Sequence, residues 1–406
     1  MIVGEFFNWA QSASVALRTE GASALARAYL DSPLDPASRR EAEIALSCLA
    51  DDLSPRVRRA LSDVMASAPQ APRALITALA NDQPDVAAPI LSRSPLLSEA
   101  ELVEYATIGA ALAQTAIARR AHVPTTVAAA LAGCGAREAA ITLVLNPGAD
   151  LAEASMRKML ERFGDDGEIR EALLARPSLP GAIRSRLVQA TASTLLSFTV
   201  ECAWLSPERA ERLSREARDK ANVSIATETA RRSGRKGLRA FVSHLRRSGE
   251  LTASLVLRAL LSGRSDFFEA ALVELSGLSE ARVESQLRAF RGAGFAAVYA
   301  KAGLPQRFLT VFRAALDALG DLEPAIPGEA VELRLAVIQP VLARCHLAKS
   351  GELDRLAALL RRFEMEAARE AARARAPALS ASRAPRRPIA PIIAMGTLEE
   401  VLGQAA

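Results

Sequence analysis

Pro69, Pro95 and Pro147 fall on a 26-residue grid, and Pro177 follows after a gap of 30. Ala121 occupies the grid position between Pro95 and Pro147. Each position lies in a short polar break between two apolar runs of helical period. Proline removes a backbone donor and fixes φ, so it ends one helix and suits the turn before the next. A 26-residue unit built this way holds two helices of only about two to three turns each, and helices that short are marginal in isolation. They persist by stacking on neighbours, which makes the grid the signature of a helical-repeat array rather than of one closed core.

The composition agrees. Half of the 406 residues are apolar, yet only 4 % are aromatic. Alanine and leucine dominate, both strong helix formers, whereas sheets draw on Val, Ile, Tyr and Phe. The expected fold class is all-α. Residues 5–30 read as one helix with Phe6, Phe7, Trp9, Val15, Leu17 and Leu25 on its core side. Asp35-Pro36 starts a second helix running to about Ala50, and Ser54-Pro55 gives an N-cap followed by a first-turn proline. The 30-residue step before Pro177 is explained by an inserted polar loop, Phe163-Gly164-Asp165-Asp166-Gly167, which reads as a turn rather than a calcium loop because it lacks the remaining oxygen ligands. Asp219-Lys220-Ala221-Asn222 reads as a turn inside a charged helical section.

In the C-terminal half glycine takes over the punctuation. Gly277 and Gly303 are again 26 residues apart, and Gly249 lies 28 before Gly277. Glycine is favoured just past a helix end because it adopts positive φ without strain. A long helix is expected over Glu329–Lys349, interrupted near Pro340, and a last one over Leu353–Arg375. From Ala376 the text is rich in Pro, Ala, Ser and Arg and reads as extended or disordered.

Several segments in order resemble a bacterial family of unknown function found mainly in alphaproteobacteria, domain of unknown function 2336. They are the run SPRVRRALSDVMASAPQAPRALITALAND at 54–82, RSPLLSEAELV at 93–103, NPGADL at 146–151 and LRALLSGRSDFFEAALVELSGL at 257–278. The resemblance covers roughly residues 5–350. It implies a HEAT-like α-solenoid and carries over no catalytic residue. The expected organisation is an N-terminal helical cap (1–53), a HEAT-like array (54–200), a charged helical connector (201–250), a C-terminal helical repeat domain (251–375) and a flexible basic tail (376–406). A short helix in that tail is expected to dock through Leu398, Val401 and Leu402.

The net charge of +5 is unevenly spread. Residues 206–250 hold 12 basic and 6 acidic side chains, and residues 231–247 hold seven Arg or Lys and no acid. Leu238, Phe241, Val242 and Leu245 follow i, i+3, i+4, i+7 and would anchor that segment on one face. Gly234 and Gly237 weaken its start, so Arg231, Arg232, Arg235 and Lys236 are expected in a loop, with Arg239 on the outer face. Further arginines recur at repeat positions: Arg56, Arg58 and Arg59, then Arg93, Arg119 and Arg120, then Arg176. Stacked, they would form a ladder able to meet an acidic protein surface or, as an alternative, nucleic-acid phosphate. Pairing with acids such as Asp51, Asp52, Asp82 and Asp85 is the structural reading of the same pattern.

Nothing in the sequence carries catalysis. There is no phosphate loop, dinucleotide fingerprint, nucleophile elbow or His-Glu-x-x-His. His122, His244 and His346 are isolated, and Cys48, Cys134, Cys202 and Cys345 have no metal spacing, so they read as buried free thiols with no metal or cofactor. Phe267, Ala271 and Leu272 read as core, and Phe268 as the ring left outside it. The start MIVGEFFNWAQSA has no basic region followed by a long apolar stretch, and no segment reaches 18 uncharged apolar residues; a cytoplasmic protein without membrane spans is expected. The expected function is a non-enzymatic protein-binding scaffold or regulator that uses its helical-repeat surface.

Overall fold

The computed structural model describes residues 9, 12–321, 330–346 and 351–382. All their regular elements are helical, apart from one isolated parallel bridge between Val123 and Ala149. Two compact units emerge, residues 1–232 and 233–406. The division falls inside the segment expected to connect two arrays.

The first unit is a series of helix pairs: α1 (Val15–Asp31) with α2 (Pro36–Ala50), α3 (Pro55–Met65) with α4 (Arg73–Ala80), α5 (Pro84–Arg93) with α6 (Glu99–Ile108), α7 (Ala111–Ala118) with α8 (Thr125–Cys134), α9 (Arg137–Leu145) with α10 (Glu153–Phe163), and α11 (Gly167–Leu174) with α12 (Gly181–Glu201). Grid positions 69, 95, 121, 147 and 177 all lie in the turn inside a pair. Helices α1, α3, α5, α7, α9 and α11 pack successively in one row; α6, α8, α10 and α12 form a second. A continuous core of Ala, Val, Leu, Ile and Met runs between the rows from Ala22 to Leu187. Fully buried Ala106, Ala118, Ala128, Ala132 and Ala140 let the short helices approach closely.

Hydrogen bonds between neighbouring pairs carry the repeat period. Arg120 donates to the Ser94 carbonyl, Asn146 Nδ2 donates to the Arg120 carbonyl, and Arg59 donates to the Asp85 carbonyl, each spanning 26 residues. The turns also touch directly. Val123 N donates to Gly148 O and Asp150 N to Val123 O, both at 3.0 Å. A Cβ at Gly148 would stand 1.9 Å from the Ala121 carbonyl oxygen, so only glycine permits this approach.

Some local expectations fail for identifiable reasons. Phe6 and Phe7 lie outside the described residues, while Val15 and Leu17 are exposed; α1 buries Ala22, Ala26 and Tyr29 instead. The turn expected at 219–222 is helix within α13 (Pro207–Arg247), because Asn222 is buried and accepts a 2.9 Å hydrogen bond from Ser185 of α12. The break in α13 comes at Gly234 (φ 60°, ψ −160°), a conformation essentially reserved for glycine. Arg231 and Arg232 therefore sit on helix before the break, and Arg235 and Lys236 on helix after it, rather than in a loop. Cys134 and Cys202, expected to be buried, are exposed at helix ends.

The second unit contains the end of α13, α14 (Ala253–Leu261), α15 (Ser265–Ser276), α16 (Glu280–Arg288), α17 (Ala293–Lys301), a 3-10 turn (Gln306–Phe308), α18 (Leu309–Asp321), α19 (Ala330–His346) and α20 (Gly351–Ser382). Gly249, Gly277 and Gly303 all have positive φ just past helix ends. Leu238, Phe241, Val242 and Leu245 are buried as their spacing predicts. Phe268 is not the excluded ring: it is fully buried and stacks on Phe312 at 5.2 Å, in a cluster with Phe295 and Tyr299 that covers it from other helices. Pro340 does not interrupt α19; it sits on the exposed side, with Val337, Ile338 and Val341 buried around it. The alanine-rich text from Ala371 carries α20 on to Ser382, into the stretch expected to be extended.

Candidate protein-binding surface

The arginines singled out by the repeat pattern divide by what their guanidinium groups reach. Two turn inward. Arg120 donates to the carbonyls of Leu91 and Ser94, both at 2.7 Å, at the C-terminal end of α5. Arg176 does the same two repeats later, reaching Val144 and Asn146 at the end of α9 and Ala149 beyond it. Arg162, which the sequence pattern did not single out, reaches Ala132 and Gly135 at the end of α8. The last carbonyls of a helix lack intrahelical donors, and a forked cation supplies them. Burial pulls the Arg120 and Arg176 guanidinium groups below the usual arginine range.

Others are held by acids. Arg59 and Arg93 share Asp63, and Arg231 pairs with Glu228. Arg232 donates to the Pro177 carbonyl and lies 3.9 Å from Glu228. In the second unit Arg235 meets Glu269 and Glu280, and Arg239 meets Glu280. The side chains of Arg56, Arg119 and Lys236 are exposed and make no ion pair or hydrogen bond among the described residues. Leu398, Val401 and Leu402 lie outside those residues.

Arg58 belongs to a second network. It donates to both oxygens of Asp82 and to the Asp52 carbonyl, while Arg18 holds the Asp52 carboxylate. Burial raises both aspartates, but the bonds from Arg18, Arg58 and the Ser54 and Gln83 amides outweigh it and hold them below the usual carboxylate range. Asp166 caps α11 and accepts from Arg137, which is why the Gly-Asp loop is a helix start.

Two open grooves lie among these side chains. In the first unit, one of about 750 Å³ runs between the turns at Pro95 and Ala121. Buried Leu97 and Leu102 lie at its base, and Arg93, Arg119, Arg120 and His122 line it against a single acid, Glu99. The grid thus brings together three of the predicted arginines and adds His122, which sequence reading treated as isolated. Glu99 accepts from Thr126 one repeat on, which partly engages its charge. In the second unit, a groove of about 790 Å³ carries Arg235, Lys236 and Arg239 facing Glu280 and Glu284, so its charges balance far more closely.

Among the described residues no group of three or more His, Cys, Asp or Glu side chains is placed to hold a metal ion, and no helix is long and apolar enough to cross a membrane. The two grooves are mixed apolar and charged surfaces, suited to recognition. A family match covers residues 86–351, under the description "uncharacterised protein conserved in bacteria (DUF2336)". The chain belongs to this family. The DUF2336 match begins within α5, later than the resemblance from residue 5 implied, so it takes in the turns flanking the basic groove and omits α1–α4. No curated protein and no solved structure matches the chain.

Proposed function

We propose that this DUF2336 protein is a non-enzymatic scaffold whose first unit, a HEAT-like array, holds an acidic, extended segment of another protein along its turn edge. One observation carries the reading: the groove between the Pro95 and Ala121 turns has an apolar base, a basic wall and an unpaired Arg119. A peptide alternating apolar and acidic side chains fits such a surface, with apolar groups against the base and carboxylates toward the unpaired Arg119 and the exposed, Asp63-paired Arg93. The turn geometry favours a chain over a compact ligand, because the groove lies open between successive repeats.

Nucleic acid fits less well. Phosphate binding draws on several unpaired cations in register. Here Arg120 and Arg176 are occupied by carbonyls, and Arg235 and Arg239 by glutamates.

The test uses the full chain and a fluorescein-labelled peptide of alternating Glu and Leu, followed by anisotropy at two salt concentrations. Binding that weakens about tenfold or more in an Arg93→Glu/Arg119→Glu variant supports the reading. Absence of binding to the peptide, together with tight and steeply salt-dependent binding to duplex DNA, overturns it in favour of nucleic acid.

A further inference from the structure

We infer that the groove between the Pro95 and Ala121 turns grips its partner by main-chain hydrogen bonds, taking the segment as an added extended strand. The inference rests on the proposal that this groove holds an acidic, extended segment. Leu97, Val123 and Ala149 share one position of the 26-residue repeat, and all three are buried. At the later step the turns close on each other: Val123 N donates to Gly148 O and Asp150 N to Val123 O, which forms the isolated parallel bridge. The same rung one step earlier would run from Leu97 N to His122 O and from residue 124 N to Leu97 O. Residue 124 is a proline and has no N–H to give. Among the described residues that rung is missing, and the basic groove lies in its place.

The missing rung leaves main-chain groups unmatched. Leu97 is 6 % exposed, yet neither its N–H nor its C=O has a hydrogen-bond partner among the described residues. The N–H and C=O of His122 have none either. In the two neighbouring turns the equivalent amide is taken locally: Leu96 N donates to Ser94 Oγ, and Gly148 N to Asn146 Oδ1. The middle turn has Arg120 at that position, a side chain with no acceptor, and it reaches back to Leu91 and Ser94 instead. Other unbridged steps are satisfied in different ways. Ser98 N donates to Glu101, and the Ala149 carbonyl accepts from Arg176 and from Leu151 N. An unmatched buried backbone group costs about 1–3 kcal/mol, so a ligand that completes Leu97 gains what the fold leaves unmade.

Direction and width select the occupant. Val123 turns both of its main-chain groups toward the Pro147 turn. These groups alternate along an extended segment, so those of His122, which lines the groove, face the Pro95 turn. Helices packed in one row lie about 8–10 Å apart, which is about two strand spacings. Turns that have not closed on each other therefore leave room for one extended chain. A helical ligand has its own backbone bonds satisfied and offers none to Leu97 or His122. An extended chain offers N–H and C=O groups on alternate sides. Its side chains alternate as well, so apolar groups fall toward Leu102 and carboxylates toward the unpaired Arg119.

Two measurements on the unaltered full chain test this. The first compares, by anisotropy, the labelled Glu-Leu peptide with forms methylated at the main-chain nitrogen of every Leu or of every Glu. Methylation removes donors and keeps the side chains. At least one methylated form is expected to bind about tenfold more weakly, the scale of one or two lost main-chain bonds. The second follows hydrogen exchange at the His122 amide, which is exposed and unpaired in the free chain. Saturating peptide is expected to slow that exchange about tenfold. Affinities equal within about twofold for all three peptides, or an unchanged His122 amide in the bound chain, overturn main-chain pairing while the acidic-segment proposal stands. Failure of the unmodified peptide to bind overturns both.

Discussion

A guanidinium group that reaches two carbonyl oxygens at the end of a helix one repeat back works as a cap supplied in trans. Arg120, Arg162 and Arg176 do so along the first unit, and in the second Arg313 reaches the Phe290 and Gly292 carbonyls in the turn after α16. Lysine could not serve two diverging carbonyls with one planar group. The recurrence of arginine at repeat positions was visible in the sequence; its direction was not, because the same spacing fits an outward ladder and an inward cap. The distinguishing signal is the partner, a helix end 26 to 32 residues earlier, and that emerges only once the repeat register is known. Ala203 is a second residue whose role is set by backbone rather than side chain. It holds the left-handed position where glycine is the rule, at a cost of about 1 kcal/mol. Ala203→Gly is expected to raise stability by roughly that amount, read as a higher urea midpoint; an unchanged or lower midpoint would mean that the strain is absent.

At the scale of helices, the punctuation was highly legible. Asp35-Pro36 and Ser54-Pro55 start helices where the local chemistry says they should, Asp35 with a side-chain cap and Ser54 without one; the Ser98/Glu101 capping box was not read from the sequence. Misreadings came where tertiary burial reversed a local preference: Asn222 is drawn into helix by Ser185, and Phe268 is covered by rings more than 25 residues away in sequence. The grooves were only half legible, since His122 gains its neighbours from stacked turns. The aspartates between pairs make a testable contribution. Asp52 and Asp82 are held below their unfolded values, so the stability they contribute is fully present above about pH 4 and is lost as pH falls through their depressed folded values. Asp82→Asn, which removes one titrating group and one partner of Arg58, should lower stability at pH 7 by about 1–3 kcal/mol and flatten the acid limb of the stability profile below pH 4. An acid limb as steep as the wild type's would place the titration elsewhere.

Across the whole molecule, two helical units meet in sequence at the Gly234 break, and the DUF2336 match extends into both. The candidate binding groove lies in the first unit and follows from one arrangement: turns of successive pairs brought side by side. The central claim is therefore the stacking of the turns on one edge. It is tested most directly by spin-label distances in a cysteine-free full chain, with labels at positions 70 and 122, and at 70 and 178. With about 10 Å between successive helices in a row, the first pair, two repeats apart, should lie near 20 Å and the second, four repeats apart, near 40 Å. Distances that fail to increase with repeat number would contradict the stack and, with it, the groove.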